Sequence, residues 1–192
     1  MPKLDFAIVC SSNQNRSMAA HKLLSKRGFN VTSFGSGTHC KLPGPTPEEP
    51  NIYSFDSSYD EMYNDLTKKD KTLYTQNGIL HMLDRNRRIK TKPERFQDCT
   101  VKHDCVISCD ERVYDQVIED FENRGNVNGT PVHLINLNIM DNQEEATIGA
   151  VLICELCQQI EECEDLDDNI ENIIKEFEDK NKRTLYYHVA FY

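Results

Sequence analysis

The chain has 192 residues, enough for one domain to bury a sizeable core without disulfides or a structural metal. Charged residues make up 28% and hydrophobic ones 38%, as in soluble globular proteins, and no apolar run approaches the ~20 residues of a membrane helix. The formal net charge of −10, much of it between Glu155 and Asp179, argues against a general nucleic-acid binder, which carries a basic face.

Met1–Asp5 leads, without the pattern of a signal peptide, into Leu4–Val9, a short apolar run suited to a buried strand. A cytosolic or nuclear protein is expected, so the eight cysteines are read as buried, catalytic or redox-active rather than paired. Ser17–Arg27 reads as a helix closed by Gly28, and Asn30–Phe34 as a second strand before Gly35–Gly37. Lys41–Pro50 holds four of the seven prolines and is too broken for either regular element. Tyr59–Lys71 looks helical, with Tyr59, Met62, Tyr63 and Leu66 at helical spacing, and a further helix is predicted over Asn77–Asn86. Asp84–Lys92 is locally basic, either a draw for an anionic ligand or a solvated surface. Strand Cys105–Cys109 precedes helix Glu111–Asn123, and strand Pro131–Leu137 precedes helix Ala146–Glu161. A last helix over Asp168–Asp179 and a closing strand over Thr184–Tyr192 complete the chain.

This alternation predicts a three-layer α/β fold across residues 1–192, a mainly parallel central sheet with helices on both faces. Such sheets bind ligands beyond the carboxyl ends of their strands, and Cys10 ends the first strand. From Cys10 the chain runs Ser11, Ser12, Asn13, Gln14, Asn15, then Arg16 and Ser17 at a helix start. Backbone N–H groups of such a loop converge on an anion, helped by the helix N-terminus. A guanidinium grips two phosphate oxygens at once, and the positive surroundings favour the Cys10 thiolate, to which Ser17 is placed to donate a hydrogen bond. The loop has no glycine, but Asn13 and Asn15 tolerate positive φ. The alternative is a buried structural cysteine before a capped helix.

Attack by Cys10 on a phosphomonoester gives a phosphocysteine that water then hydrolyses. A serine alkoxide is a poorer leaving group than a tyrosine phenolate, so a general acid is needed. By spacing the best candidate is Asp141, in the loop beyond the strand ending at Leu137; an acidic helix cap is the competing reading. Cys154 and Cys157 form a C-x-x-C within an apolar helix, which reads as core packing, because no second pair has zinc spacing. Cys99, Cys105 and Cys109 lack that spacing too, and His21 reads as a packed or capped histidine. No metal or cofactor is expected.

The run Cys10–Met18 closely resembles the Ssu72 family of RNA polymerase II C-terminal-domain phosphatases, as do Lys41–Pro45, Pro50–Tyr53, Tyr74–Gly78, His81–Asn86, Pro93–Phe96, Glu111–Asp115 and Phe191–Tyr192. The resemblance implies a fold like the low-molecular-weight tyrosine phosphatases with added active-site segments. It implies removal of phosphate from the fifth-position heptad serine of the polymerase tail, with the following Ser–Pro bond cis. It assigns Cys10 as nucleophile, Arg16 as phosphate clamp and Asp141 as general acid, and puts Lys41, Pro43, Met82 and Leu83 near the peptide groove. It also implies a symplekin-like scaffold of the 3′-end processing machinery as partner, without direct nucleic-acid or membrane contact, and a place in the nucleus, with the cytoplasm as a second location. The chain departs from the family's pattern at Asn138, usually aspartate, and at Ala19, commonly glutamate. The rival readings are a low-molecular-weight tyrosine phosphatase, whose acid is usually followed by Pro-Tyr where Asn142 stands, an arsenate reductase, which needs resolving cysteines, and a scaffold component of the processing complex.

Overall fold

Phe6, Ile8 and Cys10 bury against one layer of the molecule and Ala7 and Val9 against another, the period of two that a strand buried on both faces requires. The computed structural model describes residues 3–125 and 127–192; Met1 and Pro2, in the N-terminal lead read above, lie outside the described residues. Along the chain, β1 (Asp5–Cys10), α1 (Arg16–Lys26), β2 (Asn30–Gly35), β3 (Cys40–Leu42), β4 (Asn51–Tyr53), α2 (Tyr59–Gln76) and α3 (Ile79–Ile89) come first. A short 3-10 turn (Phe96–Asp98), β5 (Cys105–Ser108), α4 (Glu111–Arg124), β6 (Pro131–Leu137), α5 (Gln143–Glu162), α6 (Leu166–Asn181) and β7 (Leu185–Phe191) follow.

The main sheet has the order β2-β1-β5-β6-β7, parallel except for β7, which runs antiparallel to β6. The alternating strand residues sort into two cores. Ile8, Ile107 and Ile135 pack against Leu24 of α1, Ile153 of α5 and Phe177 of α6, while Val9, Val106 and Leu134 pack against Val113 and Phe121 of α4. A third cluster, around Leu42, Tyr59, Met62 and Leu83, joins the β3–β4 hairpin, α2 and α3 to Met18 of α1. The expected mainly parallel sheet with helices on both faces is therefore present.

From β1 the chain turns to β2 on one side and later to β5 on the other, so the carboxyl ends of β1 and β5 form a topological switch point. Several boundaries differ from the sequence reading. β1 ends on Cys10 itself. The proline-rich stretch is not wholly irregular, since Lys41 pairs with Ile52 and the prolines fall in the hairpin connection. α2 runs past Lys71 to Gln76, but Asp70 has extended dihedrals (φ −164°, ψ 88°), and its carboxylate accepts from Leu73 N at 3.0 Å, capping a second helical segment. Gly78 (φ 81°) delays α3 to Ile79, and Gly28 (φ 87°) follows α1 in the left-handed conformation expected of it. Cys154 and Cys157 lie in the core, as their apolar setting implied.

Candidate active site

The loop after β1 is held by its carbonyls. Cys10 O accepts from Ser36 N at 2.9 Å, Ser11 O from Gly37 N at 3.0 Å, and Asn15 O from Ala19 N at 2.9 Å. Asn13 O accepts from Tyr59 Oη at 2.7 Å, and Gln14 O from Asn86 Nδ2 at 2.8 Å and Arg85 Nη2 at 3.0 Å. By contrast, none of the N–H groups of Ser11–Asn15 donates to another described group. Carbonyls tied to β2, α2 and α3, with amides left over beside a helix N-terminus, make a cradle for an anion.

Asn13 is the pivot of the loop. It takes φ 54°, one of the two asparagine positions expected to tolerate such an angle; Asn15 is not in that region. Its fully buried side chain accepts from Glu94 N at 3.0 Å and donates to Ser17 Oγ at 2.9 Å and Ser33 Oγ at 3.2 Å. Ser17 Oγ in turn lies 2.9 Å from Cys10 Sγ. As a thiol, Cys10 donates to Ser17 Oγ; once the sulfur is a thiolate the contact runs the other way, with the Ser17 hydroxyl as donor.

Arg16 is 5% exposed and gripped on one side only. Its Nη1 donates to Asp110 Oδ2 at 2.8 Å, Ile139 O at 3.0 Å and Cys109 O at 3.4 Å. Nη2 donates to Ser11 Oγ at 3.3 Å, whereas the buried Nε has no hydrogen-bond partner and sits 3.7 Å from Asp141 Oδ1. Burial works against the charge of Arg16, but Cys10, Cys109, Asp141 and Asp110 outweigh it and raise its pKa above the ordinary arginine value. Asp110 does two jobs, since its other oxygen accepts from Val113 N at 2.9 Å and caps α4.

In front of the loop lies a cavity of about 430 Å³, with Cys10, Arg16 and Asp141 on its polar side and Leu42, Pro43, Ile79 and Met82 on its apolar wall. Asp141 stands at the mouth, 61% exposed, and accepts from Asn15 Nδ2 at 3.0 Å. Ser11, Ser12, Gln14, Asn15 and Lys41 line the same cavity. Asn13 and Ser17 lie behind it, fully buried. Leu83, expected near a peptide groove, instead points into the third core cluster with no exposure, because the apolar stripe of α3 turns it toward α2.

Sequence reading missed Asp110, the carboxylate partner of Arg16, although its place beyond β5 puts it at the switch point. It also missed the brace formed by Tyr59, Arg85 and Asn86. The basic run is neither of the two things proposed for it as a whole. Arg85 serves the loop, Arg87 and Arg88 pair with Asp84 at 2.7 Å, and Lys90 pairs with Glu94 at 2.8 Å. His21 is a packed histidine, its Nδ1 2.8 Å from Ser33 Oγ, and burial pushes its pKa down to about 4. Cys109, beside Cys10, is fully buried, and desolvation followed by the neighbouring Cys10 raises its thiol well above the ordinary range. The departure at Asn138 lies outside the catalytic cavity, with its Oδ1 accepting from Asn136 Nδ2 at 2.9 Å.

Fold and loop together place the molecule among α/β proteins that seat an oxyanion between a strand-end thiol and a helix-start guanidinium. Within that class, the chain belongs to the Ssu72 family, whose family model, described as Ssu72-like protein, matches residues 4–192. It is 62% identical over 189 residues to SSU72 of Xenopus laevis, a phosphatase of the RNA polymerase II C-terminal domain, and 61% identical to SSU72 of Homo sapiens, covering 98% of this chain and 97% of each relative. A crystal structure of Drosophila melanogaster Ssu72 with symplekin, bound to a cis peptidomimetic C-terminal-domain peptide carrying phosphoserine at position five, superimposes with a TM-score of 0.97 at 47% identity, covering 100% of both chains.

Proposed function

We infer that this chain, as one domain, is a cysteine-dependent protein phosphatase that dephosphorylates the fifth-position serine of RNA polymerase II C-terminal heptads. The observation that carries the reading is the loop itself: unbonded amides, the Ser17 hydroxyl at the Cys10 sulfur, and an Arg16 whose Nη1 is occupied while Nε is unpaired. Nε and Nη2 hold two phosphate oxygens, and Cys10 Sγ attacks phosphorus. The P–O bond to serine breaks as Asp141 delivers its proton to the leaving oxygen. Asp141, now a carboxylate, takes a proton from water as the water oxygen attacks phosphorus. The S–P bond breaks, returning the Cys10 thiolate and inorganic phosphate.

The relatives' names support the polymerase tail as substrate, and the wall of Leu42, Pro43, Ile79 and Met82 suits the proline that follows the serine. A symplekin-like scaffold is the expected partner, and nuclear action follows from both. Cis Ser–Pro is a minority form, ~10–30% of unfolded peptide, exchanging over tens to hundreds of seconds. A prolyl isomerase therefore speeds turnover when substrate is depleted; an unchanged rate speaks against cis selection.

The deciding experiment compares phosphate release from a fifth-position phosphoserine heptad peptide and from a phosphotyrosine peptide, using wild type and Cys10→Ser. Release from the serine peptide that vanishes in Cys10→Ser is expected. A phosphotyrosine preference discards the polymerase assignment and keeps the chemistry.

A further inference from the structure

A second cavity, of about 680 Å³, opens on the other side of the Lys41–Asp141 rim and shares Ser11, Ser12, Lys41 and Asp141 with the catalytic one. The two adjoin along these four residues, at the phosphate loop. If the residue after the phosphoserine rests on the apolar wall, the residues before it leave through this second cavity. Its lining is polar and carries Lys41, Arg112 and His39 together with Asp110, Glu111 and Asp141.

Each acid there has a hydrogen-bond donor, but only Asp110 is tightly charge-paired. An anion in this cavity is therefore held by its cations against the charges of Glu111 and Asp141. Asp110 holds Arg16 and caps α4, Glu111 accepts from Tyr186 Oη at 3.0 Å, and Asp141 accepts from Asn15. The side chains of Lys41 and Arg112 make no hydrogen bond, ion pair or ring contact with any described residue. In the basic run over Asp84–Lys92, by contrast, Arg87, Arg88 and Lys90 all have carboxylate partners. Arg112 also stands in the first turn of α4, where the helix dipole disfavours a cation and adds to the attraction for an anion. Lys41 and Arg112 are exposed, and what sets them apart from other exposed cations is their place at the phosphate loop, where their charge attracts an anion.

We propose that this second cavity is an anion subsite, contacted by Lys41 and Arg112, for a phosphoserine or acidic side chain preceding the target phosphoserine in the same peptide. The proposal rests on the phosphatase reading of the first cavity and defines its preferred substrate as a multiply phosphorylated or acid-flanked segment. Lys41, at the shared rim, contacts both groups, while Arg112 belongs to the second alone.

The test is an equilibrium titration with Cys10→Ser protein, so that binding is read apart from turnover. Fluorescent heptad peptides carry the target phosphoserine alone, with a second phosphoserine two, three or four residues before it, with glutamate at those places, or with a second phosphoserine after it. One preceding phosphoserine position is expected to tighten binding about tenfold, glutamate less, and the following position not at all. In Cys10→Ser/Arg112→Ala the ratio of the two affinities falls toward one; using the ratio removes any general loss of binding. Equal affinity for all the peptides, or tightening that survives Arg112→Ala, overturns the subsite. Failure of the wild-type enzyme to release phosphate in a parallel assay overturns the phosphatase reading and leaves the affinity ratio standing as its own answer.

Discussion

Ser17 has one proton, and its neighbours determine where that proton goes. Asn13 donates into the hydroxyl from one side, and when Cys10, 2.9 Å away, is ionised it has no proton to give and accepts the one from Ser17. A hydrogen bond to a charged group contributes about 1.5–3 kcal/mol, or roughly ten- to a hundredfold in rate. Ser17→Ala is expected to lower kcat by that factor and to slow alkylation of Cys10 by iodoacetamide at neutral pH; unchanged alkylation removes Ser17 from thiolate support. Asp110 acts one step further out, as a positioning residue. In Asp110→Asn the amide oxygen can still cap Val113, and Nη1 of Arg16 keeps the carbonyls of Ile139 and Cys109, but the charge pair is gone. Inhibition by inorganic phosphate and KM for the peptide should weaken about tenfold, and the melting temperature should fall, because the new amide NH2 then faces Nη1 of the buried Arg16. If phosphate inhibits the variant as well as the wild type, the two carbonyls alone fix the guanidinium.

At the scale of elements, β2 must pass close beneath the loop. A Cβ on Gly35 would meet Ser11 O at 2.8 Å, Phe55 Cζ at 2.9 Å and Asn13 N at 3.0 Å. Two of those atoms are loop backbone, so Gly35→Ala is expected to displace the cradle, cutting kcat/KM at least tenfold and costing about 1–3 kcal/mol by overpacking. Parallel assays of activity and urea unfolding check it; full activity would mean that the loop shifts as a unit. Nothing in the sequence marked this glycine beyond its place after a strand. The strand, loop and helix around Cys10 were legible because local residue types specify them, and Asp141 was within reach because loops after parallel strands share one rim. The β3–β4 hairpin was not legible. Its strands are three residues each and framed by prolines, and Cys40 and Leu42 are buried only because α2 and α3 fold over them. The break at Asp70 was hidden for a related reason, since a helical stripe on either side of it serves the same cluster.

At the scale of the whole molecule, the loop is enclosed from three directions, by β2, by α2 with α3, and by the ends of β5 and β6. One strut of this enclosure runs from His21 through Ser33 to Asn13. Burial, with Lys90 as a secondary cause, lowers the His21 pKa to about 4, and burial also lowers that of His103. In the unfolded chain both imidazoles titrate near their ordinary value of about 6.5. Between about pH 6.5 and pH 4 the unfolded chain therefore binds protons that folded His21 does not accept. Stability accordingly rises with pH across that window, is fully present above about 6.5, and is lost as pH falls through it. Asp65, held low by its hydrogen bond from Tyr53, and Asp84, held low by Arg87, add a separate loss only at lower pH, where carboxylates protonate. Urea midpoints at pH 7.5, 6.5 and 5.5 read the histidine window alone, above the pH at which the carboxylates protonate. The wild-type midpoint should fall from 6.5 to 5.5, while His21→Gln, which cannot take up the proton in either state, should fall less. Parallel curves for the two proteins would place the proton uptake elsewhere, and a level wild-type curve would mean that His21 accepts its proton in the folded state without strain on Ser33 and the loop.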